Sequence, residues 1–206
     1  MARPKSDIDA RIVEAARARF LSDGVDGASL RSIAQDAGTN VGMIYYYFPT
    51  KDDLFLAVVE DAYGKVLEHL EAALREEVPT IERFRLLYRR LAAITPVEFD
   101  VIRIVMREAL ISSTRLKQIF ARFQSGHLPL LLAAMSNGYR EGEFDTGHPM
   151  PALIATLVAT AVMPQVVLRR LSSELPMVAG LLPQPEQLAE AIFEVVMRGA
   201  TPRTEP

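Results

Sequence analysis

Ser29-Leu-Arg-Ser-Ile-Ala-Gln-Asp-Ala-Gly-Thr-Asn-Val-Gly-Met-Ile-Tyr-Tyr-Tyr-Phe48 reads as two short helices around a tight turn. Leu30, Ile33, Ala34 and Ala37 recur at the spacing that gives a helix one apolar face, and Ser29 stands where an N-cap belongs. Gly38 follows, suited to a left-handed backbone that a side chain would disfavour, and Asn40 can cap a second short helix running through Tyr45-Tyr46-Tyr47. Consecutive helical residues point about 100° apart, so the three tyrosines cannot all face inward. This is the layout of a helix-turn-helix, whose second helix enters the DNA major groove.

The residues of the stretch divide by role. Ala34 lets the two helices cross closely, Gly38 makes the turn, Ile44 fills the core between them, and Phe48 with part of Tyr47 turns inward. Tyr45 and Tyr46 are left for DNA, one donating its hydroxyl to phosphate and the other reaching base edges or thymine methyls. Thr39, Asn40 and Val41 stand at the N-terminal end of the recognition helix, where such units meet the bases. Gly42 serves either close backbone approach to DNA or room for helix packing. Ser29 and Arg31 open the preceding helix as candidate phosphate contacts, and Lys51 can address one phosphate with both its amide and its ammonium. Arg3 and Lys5 form either a basic arm or a plain terminus.

Upstream, Ile8, Ile12, Val13, Ala16, Phe20 and Leu21 predict a first helix that stops at Ser22-Asp23-Gly24. Downstream, Phe48-Pro49-Thr50 ends the recognition helix, and Thr50 with Asp53 forms a capping-box pattern for a long fourth helix. Its stripe is Leu54, Phe55, Val58, Val59, Ala62, Val66, Leu67 and Leu70. Further helices are expected over 80–94, 97–111, 115–140 with a bend near Pro129, 150–172 with a kink or break at Pro164, and 185–198. The chain is therefore expected to be all-α with about nine helices. An N-terminal three-helix helix-turn-helix domain occupies 1–50, and a helical ligand-binding and dimerisation domain occupies 51–206, with 51–75 as the linking helix.

Half of the 206 residues are hydrophobic, enough to bury a sizeable core, and without cysteine there is no disulfide framework and no thiolate chemistry. The formal charge of −3 does not mark a nucleic-acid binder, and residues 1–51 hold seven basic against six acidic side chains, so the motif carries that reading. His69, His127 and His148 have no metal-ligand spacing, and no nucleophile–base order, phosphate loop or carboxylate cluster suggests an enzyme; neither metal nor cofactor is expected. Met1-Ala-Arg-Pro-Lys-Ser6 has no apolar stretch behind its charges, which speaks against a signal peptide. Residues 150–168 carry no charge, but Thr156, Thr160, Gln165, two prolines and the following Arg169-Arg170 favour a buried dimer helix over a membrane span.

Residues 8–60 resemble the DNA-binding domain of the tetracycline-repressor (TetR/AcrR) family of bacterial transcriptional regulators. The matching residues are Ile12 to Phe20, Ser29-Leu-Arg-Ser-Ile-Ala34, Ala37-Gly38, Gly42, and Ile44-Tyr-Tyr-Tyr-Phe-Pro-Thr-Lys-Asp-Asp-Leu54. Asn40 stands where the family commonly has serine and Val41 where polar residues are frequent, so base preference does not carry over. The resemblance implies a cytoplasmic homodimer paired through the helices near 150–172 and 185–198, bound to a palindromic double-stranded operator with one recognition helix per half-site. It also implies a small apolar effector in the C-terminal domain that changes the separation of the heads, with repression the commoner outcome. Phe99, Ile102, Met106 and Met163 are either ordinary core or the wall of such an effector site, and His127, near Phe123, can supply a polar group within it. The competing readings are an activator or effector-independent regulator of the same fold, a helical enzyme with a vestigial helix-turn-helix, and a membrane-associated protein using 150–168.

Overall fold

The computed structural model describes residues 7–202 apart from 176, 178 and 179; Arg3 and Lys5 lie outside the described residues. Among those described the secondary structure is entirely helical, with ten helices. They are α1 (Asp7–Gly27), α2 (Leu30–Asp36), α3 (Val41–Tyr47), α4 (Lys51–Arg75), α5 (Thr80–Ala92), α6 (Pro96–Ile111), α7 (Ser113–Gln124), α8 (His127–Arg140), α9 (Met150–Glu174) and α10 (Pro185–Ala200).

Local chemistry accounts for where these helices begin and end. Asn40 Oδ1 accepts the Met43 amide at 3.0 Å, and the Thr50–Asp53 box closes in both directions, with the Thr50 amide on Asp53 Oδ2 at 2.9 Å and the Asp53 amide on Thr50 Oγ1 at 3.1 Å. A second capping box, Thr95 with Glu98, opens α6 with Pro96 in its first turn, a signal the sequence reading passed over. Glu143 reaches in from outside α5 and accepts the Thr80 and Ile81 amides at 2.8 and 2.9 Å, two donors left unpaired at any helix start. Ser29 occupies the N-cap position of α2 with extended backbone, but its side chain makes no capping bond.

Three expectations change. The single bent helix over 115–140 is two helices, α7 and α8, and the break lies at Ser125-Gly126 rather than at Pro129. Pro129 sits in the first turn of α8, where a missing N–H costs nothing because that amide has no helical acceptor. Pro164 neither ends nor splits α9, which runs on to Glu174. The helical assignment of α1 passes the predicted stop, yet Gly24 within it has φ 77° and ψ 166°, so the regular helix does yield there.

The helices gather into two compact units. One comprises the chain to Val66 together with Thr95–Phe123, so the helix-turn-helix expected over 1–50 shares a unit with the first part of α4 and with α6 and α7. Its interior holds Ile12, Ala16, Phe20 and Val25 of α1, Ile33 and Ala34 of α2, Ile44 of α3, Leu54, Phe55, Val58 and Val59 of α4, and Val101 and Ile104 of α6. The other comprises Leu67–Ile94 and the chain from Gln124. Aromatic rings fill it, with Phe84 and Phe144 edge to face at 5.9 Å and Tyr88 and Phe193 likewise at 5.1 Å.

In this second unit α9 buries Leu153, Leu157, Ala161 and Gln165. Its Val158, Met163, Val167 and Leu171 remain exposed, and only 22% of its most apolar 18-residue window is buried. The helix is long and apolar enough to cross a membrane by length and composition, but one side of it is an integral wall of the second unit's core.

Candidate DNA-binding surface

The turn between α2 and α3 is a Schellman motif. The Gly38 amide donates to the Gln35 carbonyl at 3.1 Å and the Thr39 amide to the Ala34 carbonyl at 2.9 Å, with Gly38 at φ 62°. Left-handed backbone at that point reverses the chain within three residues and delivers Asn40 to its capping position. The crossing is held from beneath by buried Ile33, Ala34, Ala37 and Ile44, the scaffold residues the sequence pointed to. From the side, Arg19 of α1 grips Asp36 of α2 with two bonds, Nε to Oδ2 at 2.6 Å and Nη2 to Oδ1 at 3.1 Å. That pairing holds the Asp36 carboxyl below its ordinary value, chiefly through the hydrogen bonding from Arg19.

With Ile44 turned in, the opposite face of α3 is open. Gly42, Tyr45 and Tyr46, spaced i, i+3, i+4, form one exposed stripe, and the two tyrosines are 54% and 57% exposed. Tyr46 is steadied by Tyr47, ring centroids 5.1 Å apart and edge to face, and Tyr47 leans on Phe48 at 6.3 Å. Tyr47 and Phe48 are both half-buried, so Phe48 turns inward less completely than expected. Thr39, Asn40 and Val41 lie at the N-terminal end of the same helix, Asn40 exposed and the other two half-buried. Exposed Ser29 and Arg31 flank the start of α2. Arg11 was not singled out in the sequence, yet its guanidinium stands 3.7 Å from where a Cβ on Gly38 would lie, which puts another cation at the turn.

Lys51 begins α4, one residue beyond the Thr50 cap, and its ammonium donates to the Asp26 carbonyl at 3.0 Å. That bond holds the lysine against the corner between α1 and α2 and uses one of the three ammonium protons. The stripe therefore offers two phenolic hydroxyls on an aromatic surface, a helix N-terminus and a lysine charge. This combination suits a polyanion with readable base edges. The candidate effector residues fall into two sets: Phe99, Ile102 and Met106 of α6 and Phe123 of α7 are half-buried in the first unit. In the second unit, His127 of α8 is half-buried and Met163 belongs to the exposed row of α9. Among the described residues no group of three or more His, Cys, Asp and Glu could hold a metal.

Comparison with known proteins agrees with this geometry. The profile of bacterial regulatory proteins of the tetR family matches residues 12–58, from the middle of α1 into α4. An HTH-type transcriptional repressor of Streptomyces coelicolor is 30% identical over 168 residues, spanning 80% of this chain and 83% of its own. The chain belongs to the tetR family of bacterial regulatory proteins. A fatty acid metabolism regulator protein of Bacillus subtilis is 23% identical over 137 residues, 66% of this chain and 71% of that protein. In fold, this tetR-family chain is similar to the crystal structure of the regulator FadR from Bacillus subtilis in complex with stearoyl-CoA. The TM-score is 0.73 at 19% identity, with 92% of this chain and 98% of that one covered. This tetR-family protein is a DNA-binding transcriptional regulator.

Proposed function

We propose that this tetR-family regulator is a cytoplasmic repressor that binds a palindromic operator as a homodimer and is released by a small apolar effector. The observation that carries the proposal is the exposed Gly42–Tyr45–Tyr46 stripe on a recognition helix whose cap, turn and underside are all fixed. Ser29, Arg31, Thr39, Asn40, Val41 and Lys51 complete the proposed contact set. A second copy is proposed to cover Val158, Met163, Val167 and Leu171 of α9 and Val195 of α10, apolar side chains that stand open in one chain. Two linked heads gain from effective concentration what one short helix lacks in contacts.

The effector reading draws on a relative: the Bacillus subtilis FadR structure holds stearoyl-CoA, a ligand with a long apolar acyl chain on a charged coenzyme A group. Effector contacts are proposed at Phe99, Ile102, Met106 and Phe123 in the first unit and at His127 in the second, with Met163, the remaining candidate, assigned to the pairing face instead. Release requires the effector to prefer the arrangement that does not fit DNA, since equal affinity for both would shift nothing.

The test begins with selection of bound fragments from genomic DNA, where the proposal expects a palindrome with half-sites about one helical turn apart. Tyr46→Ala is expected to weaken binding to the selected fragment by roughly tenfold or more, with thermal unfolding unchanged because the side chain is exposed. Wild-type affinity in that variant would remove Tyr46 from the contact set.

A further inference from the structure

Arg115 of α7 has no counterpart in the sequence reading, yet it is the most heavily engaged side chain of the first unit. It is 6% exposed, and its guanidinium meets three carboxylates from three places in the chain. Nη2 lies 2.6 Å from Asp26 Oδ1, Nε 3.0 Å from Asp52 Oδ1 and Nη1 2.7 Å from Glu108 Oε2. The far oxygen of Glu108, itself 1% exposed, accepts the Val25 amide at 3.3 Å. Beside it the Arg107 guanidinium lies over Gly24, Nη2 2.7 Å from where a Cβ would stand, and the φ of 77° is what favours glycine there. Val25 and Asp26 are thus each bonded to a charged side chain of α6 or α7.

Both ends of this cluster touch the DNA-facing surface. Asp26, bonded to Arg115 through its carboxylate, gives its carbonyl to the Lys51 ammonium, and Asp52 is the residue after Lys51 in the first turn of α4. Farther along, Arg122 of α7 pairs with Glu60 of α4 and lies 4.7 Å over the Tyr63 ring. The anchors pair 115 with 52 and 122 with 60, so α7 runs beside α4 in the same direction and is tied to it at two points. One guanidinium facing three carboxylates also lowers the negative charge that would otherwise stand next to an approaching phosphate.

We propose that Arg115 is a positioning residue for DNA binding: by holding Asp26 and Asp52 together it fixes where the Lys51 ammonium and the start of α4 meet the phosphate backbone. This rests on the proposed contact of Lys51 with phosphate. The cluster is poorly suited to serve stability alone, because burying a guanidinium and Glu108 costs desolvation that an apolar pair would avoid. What it supplies is direction. Planar, bidentate-capable guanidinium geometry fixes three backbone segments relative to one another, which a lysine at the same place could not do.

The test compares full-length wild type, Arg115→Lys, Asp52→Asn, Lys51→Ala and the double variant Lys51→Ala/Arg115→Lys on the fragment selected by wild type, across a salt series. Arg115→Lys and Asp52→Asn are each expected to weaken binding, Arg115→Lys by roughly tenfold, and to lower the salt slope by roughly one unit. In the Lys51→Ala background, Arg115→Lys is expected to cost less than about twofold more, because the contact it positions is already gone. Amide exchange in the free proteins is expected to quicken at 25–28 and 51–54 and to stay unchanged in α8 to α10, which separates loosening of the cluster from general unfolding. Additive losses in the double variant, or unchanged exchange at 51–54, overturn the proposal. If Lys51→Ala weakens binding while Arg115→Lys does not, only the role of Arg115 falls; if Lys51→Ala binds like wild type, the phosphate contact itself is wrong and the proposal falls with it.

Discussion

The two compact units differ in what fills their interiors and in how deeply their arginine ties are set. In the second, Phe84, Phe144 and Phe193 are wholly buried and stack edge to face with each other or with Tyr88. In the first, mostly aliphatic side chains fill the middle, and arginines tie the helices: Arg17 to Asp100 at 3.0 Å, Arg19 to Asp36 and Arg122 to Glu60 nearer the surface, and buried Arg115 to its three carboxylates. Burial is strong and indifferent to direction, whereas a guanidinium pair in water is weak but specifies an orientation. The second unit has such ties too, Arg85 and Arg89 of α5 on Glu190 of α10 at 3.1 and 3.2 Å, but among the described residues a buried guanidinium shared by three carboxylates occurs in the first. Their exposed faces diverge as well: α3 turns out tyrosines, which carry a hydroxyl for phosphate or bases, and α9 turns out valine, methionine and leucine, which suit only another apolar face.

The largest effect expected from this contrast is in the aromatic unit. Phe193→Ala removes a fully buried ring that packs on Tyr88 and under the Arg85 guanidinium at 5.2 Å, and it is expected to cost about 3–5 kcal/mol in urea unfolding. A loss near 1 kcal/mol would mean that the aromatic cluster is not what holds this unit. Val167→Glu comes next and acts on assembly. Val167 is 46% exposed in one chain, so the variant is expected to fold normally, while a carboxylate buried in the proposed α9 interface raises the dimer dissociation constant roughly a hundredfold, about 3 kcal/mol. Sedimentation as a wild-type dimer would place the pairing face elsewhere. Leu157, on the same helix, is a poor probe because it is 2% exposed inside its own chain and its carbonyl accepts the Tyr88 hydroxyl at 3.1 Å.

The contrast also explains what the sequence could and could not disclose. The helix-turn-helix was legible residue by residue because its determinants are local: Gly38 makes the turn, Asn40 and Thr50 cap, and Ala34 and Ile44 turn inward from the short helices on either side of it. The break between α7 and α8 was misplaced because Pro129 is a louder signal than Ser125-Gly126, although proline in a first helical turn breaks nothing. Pro164 removes one helical N–H, as expected, but tertiary packing of Leu157, Ala161 and Gln165 carries α9 past it to Glu174. The Arg115 cluster was invisible because it joins residues 26, 52, 108 and 115, and an arginine among such neighbours reads along the chain as a solvated side chain. Phe48 and Ser29 show the limit within the motif itself, where the position was right but the degree of burial or the bond was not.

The smallest effect expected is a difference in which end of the pH scale each unit tolerates. Asp26 and Asp36 in the first unit are held below the ordinary 3.8, Asp26 mainly by its hydrogen bond from Arg115 and Asp36 by that from Arg19. A depressed carboxyl means that the folded state binds fewer protons than the unfolded one, so the stabilisation is complete above 3.8 and is lost as pH falls through the lower folded value. The second unit carries the opposite bias. Tyr88 and Tyr139 are raised above 10.0, both chiefly by burial, so their contribution is intact below 10.0 and declines as pH climbs toward the folded value. Segment-resolved amide exchange is therefore expected to quicken first around α2 in acid and first around α5 and α9 in alkali. Asp36→Asn is expected to flatten the acid response of α2 while leaving the alkaline response of α5 as it was. If acid loosened both units together in wild type and Asp36→Asn alike, the arginine ties would be ornaments on a core that holds the first unit by burial alone, and the contrast between the two units would dissolve.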